Sequence, residues 1–150
     1  MKKTLVAYFS ASGVTRRRAE ELAKAAAADL YEIVPKQPYT QKDLDWRDRS
    51  SRSSRENADA SARPELAGAP IDVSGYERIY LGFPIWWGIA PKPINSFIDA
   101  HDLAGKDIHV FATSGGSGVE RAVRSLQQDY PALSFKGGKL VHGTIRKDIF

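Results

Sequence analysis

The amino-acid sequence predicts a three-layer α/β sandwich, in which a parallel five-stranded sheet lies between two layers of helices. Two observations lead to this fold class. Several short runs are continuously apolar and rich in β-branched or aromatic residues, as expected for strands buried on both faces of a parallel sheet. These runs alternate with segments whose apolar residues recur at helical spacing, which is the pattern of βαβ units. The length of 150 residues fits a single domain over residues 1–150.

The predicted strands and helices follow one another along the chain. Strands are expected at residues 4–9, 30–34, 78–83 and 108–113, with a fifth at 133–136 or continuing past two glycines to 142. The first helix carries Val14 and Leu22 on its apolar side. Pro91 and Pro93 open the second helix, and the third has its inner side at Val119 and the following helical positions.

Residues 35–75 do not follow this alternation, because they are too long for a simple loop. Within them, residues 43–57 are a candidate polar helix carrying Leu44 and Trp46, although the apolar periodicity there is poor. The segment Arg63-Pro64-Glu65-Leu66 precedes the third strand and has no evident role.

The C-terminus is also short for this fold. After the last predicted strand only residues 144–150 remain, so we expect the C-terminal helix to be missing or truncated. The sheet surface near Val6 and Tyr8 would then be covered by a second subunit, giving a homodimer, or by residues 35–75.

The composition excludes several kinds of functional site. The chain has no cysteine, which rules out disulfides, thiolate metal sites, iron–sulfur clusters and cysteine nucleophiles. Its three histidines, His101, His109 and His142, lack the spacing of a metal-binding pair on one helix. No apolar run approaches the roughly 20 residues that a membrane span needs. We therefore expect a cytoplasmic protein with neither a metal site nor a membrane partner.

The chain is basic, with a net charge of +4, and a basic surface can attract nucleic acid. However, acidic residues alternate with the arginines of residues 43–59, so the local charge is close to zero. A solvated surface is the better interpretation, and we expect no nucleic-acid partner.

Ligands of open α/β sheets bind beyond the carboxyl ends of the strands, so the turns after strands one, three and four should converge. The first turn, residues 10–15, offers three hydroxyls and a glycine at the start of a helix, where backbone N–H groups attract anions. Ordinary helix capping by Ser12 or Thr15 is an equally good interpretation of this turn.

The other two turns differ from ordinary connections. The second contains adjacent tryptophans, Trp86 and Trp87, which cannot both be buried in one core, so at least one is expected to face a flat ligand. The alternative is a tryptophan that caps the sheet edge. The third, residues 113–118, has three glycines that let its backbone donors approach a ligand; its alternative is a merely flexible loop.

The three turns together call for a ligand with a phosphate at one end and a planar polar ring at the other. In these segments, and along essentially the whole chain, the sequence resembles the flavodoxin-like family. It is closest to short bacterial FMN-binding members with a Pro-Ile-Trp-Trp-Gly loop, here residues 84–88. The resemblance implies a flavodoxin-like sheet of order 2-1-3-4-5 and noncovalently bound FMN.

The resemblance also implies which residues contact the cofactor. The FMN phosphate would be held by Ser10, Ser12, Gly13, Val14 and Thr15. The isoalloxazine ring would be flanked by Pro84, Ile85, Trp86, Trp87 and Gly88. Its pyrimidine side would face Thr113, Ser114, Gly115, Gly116, Ser117 and Gly118.

Two departures from typical flavodoxins bear on function. Dedicated electron carriers of this family are usually strongly acidic, whereas this chain is basic. The third turn also lacks the tyrosine that commonly stacks on the flavin. We predict electron transfer to a redox partner protein or a small-molecule acceptor. The first alternative is an NAD(P)H-dependent FMN oxidoreductase acting on quinones or similar acceptors. A second, less favoured alternative is an FMN-free module that binds a phosphate or a protein. No residue is predicted to be a catalytic acid or base.

Overall fold

The computed structural model describes residues 3–113 and 118–141, which form one parallel sheet with helices on both faces. The elements in chain order are β1 (Lys3–Tyr8), α1 (Val14–Ala26), β2 (Asp29–Glu32), α2 (Arg52–Ala58), β3 (Tyr76–Pro84), α3 (Lys92–Ala100), β4 (Asp107–Thr113), α4 (Glu120–Asp129) and β5 (Ser134–Leu140). The strands pair in the order β2-β1-β3-β4-β5, all parallel. The predicted fold class and strand order are confirmed.

The two faces of the sheet are covered by different parts of the chain. Val6 and Tyr8 are buried together with Leu22 of α1 and with side chains of β3 and β4. Residues 35–75 pack on the opposite face, where Tyr39, Leu66, Ile71 and Val73 join the core beneath α3 and α4. The expectation that residues 35–75 cover Val6 and Tyr8 is therefore wrong. These two residues are buried within a single copy of the chain. Their burial therefore gives no argument for a homodimer, which stays a prediction.

Residues 43–57 do not form one continuous polar helix. The helix in this region is α2, which begins only after Ser51, whose hydroxyl accepts the Ser54 N–H. Before it, the carboxylates of Asp45 and Asp48 accept backbone N–H groups two residues further on. Such local bonds give the backbone an alternative to the helix, and a series of turns results.

The segment Arg63-Pro64-Glu65-Leu66 anchors residues 35–75 to the rest of the fold. The Arg63 Nε lies 2.6 Å from the Asp99 carboxylate of α3, and the Pro64 carbonyl accepts the Ser96 hydroxyl at 2.8 Å. Leu66 forms an antiparallel bridge with Pro35. These contacts give the segment a structural role.

The last strand follows the longer of its two predicted extents, the one that continues past the glycines, and ends at Leu140. β5 runs through both glycines, and its register with β4 shifts between Ile108 and His109. Gly137, at a φ of +133°, lies at this irregularity and adopts a backbone conformation that other residues avoid. The expected missing or truncated C-terminal helix concerns residues outside the described ranges.

None of the described helices is both long and apolar enough to cross a membrane. In the same part of the chain, no group of three or more histidine or acidic side chains is placed to hold a metal ion.

Candidate functional site

The turns after β1 and β3 meet the end of β4 at the carboxyl edge of the sheet. The buried hydroxyls of Thr15 and Thr113 are 2.9 Å apart, which joins the first turn to the third. The Ile85 N–H donates to the Thr113 carbonyl at 2.9 Å, which joins the second turn to the third. One of the two threonine hydroxyl hydrogens is left over for a further acceptor, because a hydroxyl pair uses only one of them.

The first turn leaves the beginning of α1 without a side-chain cap. Gly13 is the N-cap residue, with a φ of +92°, and among the described residues no side chain accepts an N–H group of the first helical turn. Capping by Ser12 or Thr15 is therefore not what the structure shows. The hydroxyl of Ser10 instead accepts the Gly13 N–H at 3.1 Å. A Cβ placed on Gly13 would meet nothing within 4 Å, so there is open space above the turn.

The charges around the start of α1 favour an anion. Its first turn contains no acidic residue and includes Arg16 and Arg17. Arg16 forms an ion pair with Glu32 across the neighbouring strand. The helix dipole adds a partial positive charge at the same place. Because the Glu32 carboxylate already neutralises Arg16, the uncapped N–H groups, the hydroxyls and the helix dipole are the features that make this turn suitable for a phosphate.

The second turn is a tight reversal between Trp86 and Ile89. The two residues exchange backbone hydrogen bonds at 3.0 and 3.1 Å, and the central residues Trp87 and Gly88 have φ values of +51° and +80°. A left-handed conformation costs a bulky residue such as tryptophan roughly 1–2 kcal/mol. Strain of this kind is concentrated at functional sites, where the surrounding structure holds it in place.

The two tryptophans have different surroundings, as the sequence predicted. The ring of Trp86 packs edge-on against Phe9 and Tyr39, with centroids 5.7 and 5.4 Å away. Trp87 is 39% exposed and stands at the tip of the turn. Trp87 is thus the indole available to a planar ligand, while Trp86 ties the turn to the core.

Tyr39 holds α2 next to this turn. Its hydroxyl donates to the Glu56 carboxylate, and the Arg52 guanidinium lies 3.9 Å from the centre of its ring. Arg52 in turn pairs with Glu56 at 3.0 Å. Burial, and then the Glu56 carboxylate, raises the pKa of Tyr39 above its usual range. The hydroxyl therefore stays protonated and remains a donor.

The third turn is described at its two ends. Thr113 is buried, and Gly118 is exposed beside the carboxylate of Glu120. The predicted residues Ser114, Gly115, Gly116 and Ser117 lie outside the described ranges. The remaining predicted contacts are brought to one edge of the sheet, and their role toward FMN stays a prediction.

Four further residues next to these turns were not found from the sequence. Trp46 and Ser53 face Trp86 and Trp87 across a pocket, and Asn57 and Arg121 border a second cavity beside Gly88. For Trp46 the sequence does offer one indication of a functional role, because a tryptophan is unusual in such a strongly polar segment. The other three are ordinary surface residue types, and only tertiary structure places them here.

Comparison with known proteins identifies relatives along nearly the whole chain. The model of a family described as Flavodoxin matches residues 3–150. The structure of a candidate flavoprotein from Bacteroides uniformis has a TM-score of 0.94 and 47% sequence identity, covering 97% of this chain and 94% of the other. A second one, from Bacteroides eggerthii, has a TM-score of 0.92 and 47% identity, covering 94% and 89%.

More distant neighbours share the fold. A flavoprotein from Lactobacillus acidophilus, solved in complex with FMN, has a TM-score of 0.77 and 24% identity, covering 93% of each chain. A search of curated proteins found no match to this sequence.

Proposed function

Because the chain belongs to the flavodoxin family, we propose that it holds FMN at the three turns of the sheet edge and serves in electron transfer. The observation that carries this proposal is the uncapped start of α1 placed next to a strained tryptophan turn. The start of α1 suits a phosphate and the tryptophan turn suits a planar ring. FMN has a phosphate at one end and a planar ring at the other. The Lactobacillus acidophilus neighbour, solved with FMN, supports the cofactor.

The residues present fit FMN. The N–H groups at the start of α1, with the Ser10, Ser12 and Thr15 hydroxyls around them, would hold the phosphate. Trp87 would lie against the isoalloxazine, and Gly88, whose φ is +80°, lets the backbone approach that ring closely. Bound FMN would supply one- or two-electron redox chemistry, while the chain supplies orientation and electrostatics.

Electron transfer is tested by reductive titration of the FMN-loaded protein under anaerobic conditions. We expect the apoprotein to take up one FMN and the visible spectrum to change at two separate potentials, because a carrier must hold the flavin in two one-electron steps. A single two-electron transition with FMN bound would contradict the carrier role. A protein that takes up no FMN would instead support the module that binds a phosphate or a protein.

A cavity beside the tryptophan turn favours NAD(P)H-dependent reduction as a second candidate function. It is open and has a volume of about 740 Å³. Three of its lining residues, Trp87, Gly88 and Gly118, are predicted FMN contacts, so a nucleotide would share this space with the flavin, and the others are Asn57, Ile89 and Arg121. Arg121 packs so closely on Gly88 that a Cβ there would lie 3.1 Å from its side chain. Among the described residues, no carboxylate forms an ion pair with Arg121. An unpaired guanidinium at the flavin site suits the phosphates of a dinucleotide.

Replacement of Arg121 tests this second function. If NADPH reduces the bound flavin, we expect Arg121→Gln to slow the reduction about tenfold at subsaturating NADPH, because one charge-assisted contact contributes roughly 1.5–3 kcal/mol. Stopped-flow absorbance at the flavin band measures the rate. Arg124→Gln, an exposed arginine of the same helix, is the matched control and should react like the wild type. If NADPH reduces the flavin of Arg121→Gln and of the wild type at the same rate, Arg121 does not take part in NADPH binding.

A further inference from the structure

The Arg121 side chain of α4 lies directly on the backbone of the tryptophan turn. A Cβ placed on Gly88 would be 3.1 Å from both the Cδ and the Nη1 atom of Arg121, so the aliphatic stem and the guanidinium both pack there. We propose that the charge of Arg121 raises the reduction potential of a flavin bound at this turn. The inference rests on the proposed function, because it requires FMN at the three turns of the sheet edge.

The same arginine borders the space that the flavin ring would occupy. It lines the open cavity together with Trp87, Gly88 and Gly118, which are three of the predicted FMN contacts. The glycine at position 88 leaves room for this contact, whereas a Cβ would force the arginine to shift by a few tenths of an ångström. The geometry therefore brings a guanidinium to the backbone that would flank the isoalloxazine.

Reduction changes the charge of a flavin ring. The oxidised isoalloxazine is neutral, whereas at mildly alkaline pH the uptake of two electrons and one proton leaves the ring with one negative charge. A nearby cation stabilises this anion and leaves the neutral oxidised ring almost unaffected, so it raises the reduction potential. Acidic carriers of the family place negative charge around their flavin, so the effect expected for Arg121 has the opposite sign.

The charge of Arg121 is not cancelled by an ion pair with any carboxylate of the described residues. The preceding residue, Glu120, lies at another part of the cavity, where its carboxylate would be 2.6 Å from a Cβ placed on Gly118. This carboxylate acts on the ring with the opposite sign, so the two side chains can be tested separately. Because Arg121 is exposed, water screens its charge, and we expect a moderate effect.

The test measures the midpoint potential of the full chain loaded with FMN, by anaerobic reduction at mildly alkaline pH in the presence of a reference dye. No nucleotide is added, so NADPH binding plays no part. We expect Arg121→Gln to lower the two-electron midpoint potential by about 20 mV, which corresponds to a fall of about fivefold in the affinity for reduced relative to oxidised FMN. Arg121→Lys keeps the charge and should retain most of the wild-type potential, whereas Glu120→Gln should raise the potential.

Arg124→Gln is the matched control, because Arg124 is another exposed arginine of α4, about one turn further along the helix. It lowers the net charge by the same amount and should leave the midpoint potential unchanged. The affinity for oxidised FMN should be the same in Arg121→Gln and in the wild type, since the oxidised ring is neutral. In about 1 M salt the difference in potential between these two proteins should shrink, because the Debye length falls to about 3 Å.

Three results would overturn the inference. They are a midpoint potential that Arg121→Gln leaves unchanged or raises, an equal fall in Arg124→Gln, and an equal fall in Arg121→Lys. An equal fall in Arg124→Gln would assign the effect to the net charge of the chain, and an equal fall in Arg121→Lys would assign it to the packing on Gly88. A chain that takes up no FMN would overturn the proposed function as well, and this is seen before any potential is measured.

Discussion

Replacing Gly82 by alanine is expected to lower the free energy of unfolding by about 3 kcal/mol, at the upper end of the usual cost of overpacking a core. Gly82 lies near the carboxyl end of β3, directly opposite Phe111 of β4. A Cβ on Gly82 would lie 2.0 Å from the tip of the Phe111 ring and 2.4 and 2.6 Å from its flanking carbons. Phe111 is fully buried, so its ring cannot move aside without displacing the layer between the sheet and α1.

The clash outweighs the ordinary benefit of removing a glycine from a strand, which is only about 0.5–1 kcal/mol. Urea denaturation measures the change. Gly75→Ala is the matched control, because its Cβ would meet a single atom at 3.8 Å, and it should stay within about 0.5 kcal/mol of the wild type. In a Phe111→Leu background the cost of Gly82→Ala should fall below about 1 kcal/mol. A Gly82→Ala protein as stable as the wild type would contradict this account of the sheet.

The strand pattern could be predicted because parallel strands are buried on both faces and so give continuous apolar runs. β1 and β4 are found within one residue of their predicted limits. The ends of other elements depend on contacts that a sequence does not display. Leu30 fits both the apolar pattern of α1 and the strand predicted at residues 30–34; in the structure the helix ends at Ala26 and Leu30 belongs to β2. Ala27 stops the helix in a left-handed conformation without the glycine that usually signals it.

The part of the candidate site that lies at the ends of the strands could be predicted, because the order of strands and helices alone determines where those turns lie. Turns at the carboxyl ends of parallel strands must share an edge, and the bond between Thr15 and Thr113 connects two of them. What could not be predicted is the outer wall formed by residues 44–57. Its position depends on the bonds of Tyr39 with Arg52 and Glu56, which join residues up to 17 positions apart. No local periodicity encodes such a connection.

The apoprotein is expected to bind FMN about a thousandfold more tightly than riboflavin, which differs only by lacking the phosphate. A factor of one thousand corresponds to about 4 kcal/mol. Two or three charge-assisted hydrogen bonds of roughly 1.5–3 kcal/mol each account for this, after part of their energy is offset by the dehydration of the phosphate. Fluorescence titration of the apoprotein with each flavin, at one fixed salt concentration, measures the ratio.

The location of the phosphate is tested by Gly13→Ala. At a φ of +92° alanine is strained, so the start of α1 should shift and FMN affinity should fall about tenfold or more, while riboflavin affinity changes little. Gly105→Ala is the matched control, because Gly105 has a φ of +77°, equally open surroundings and a place before β4, at the opposite edge of the sheet. Both variants should lose similar stability, and only the first should lose FMN selectivity. Equal affinities for FMN and riboflavin in the wild type would contradict a phosphate site at the start of α1.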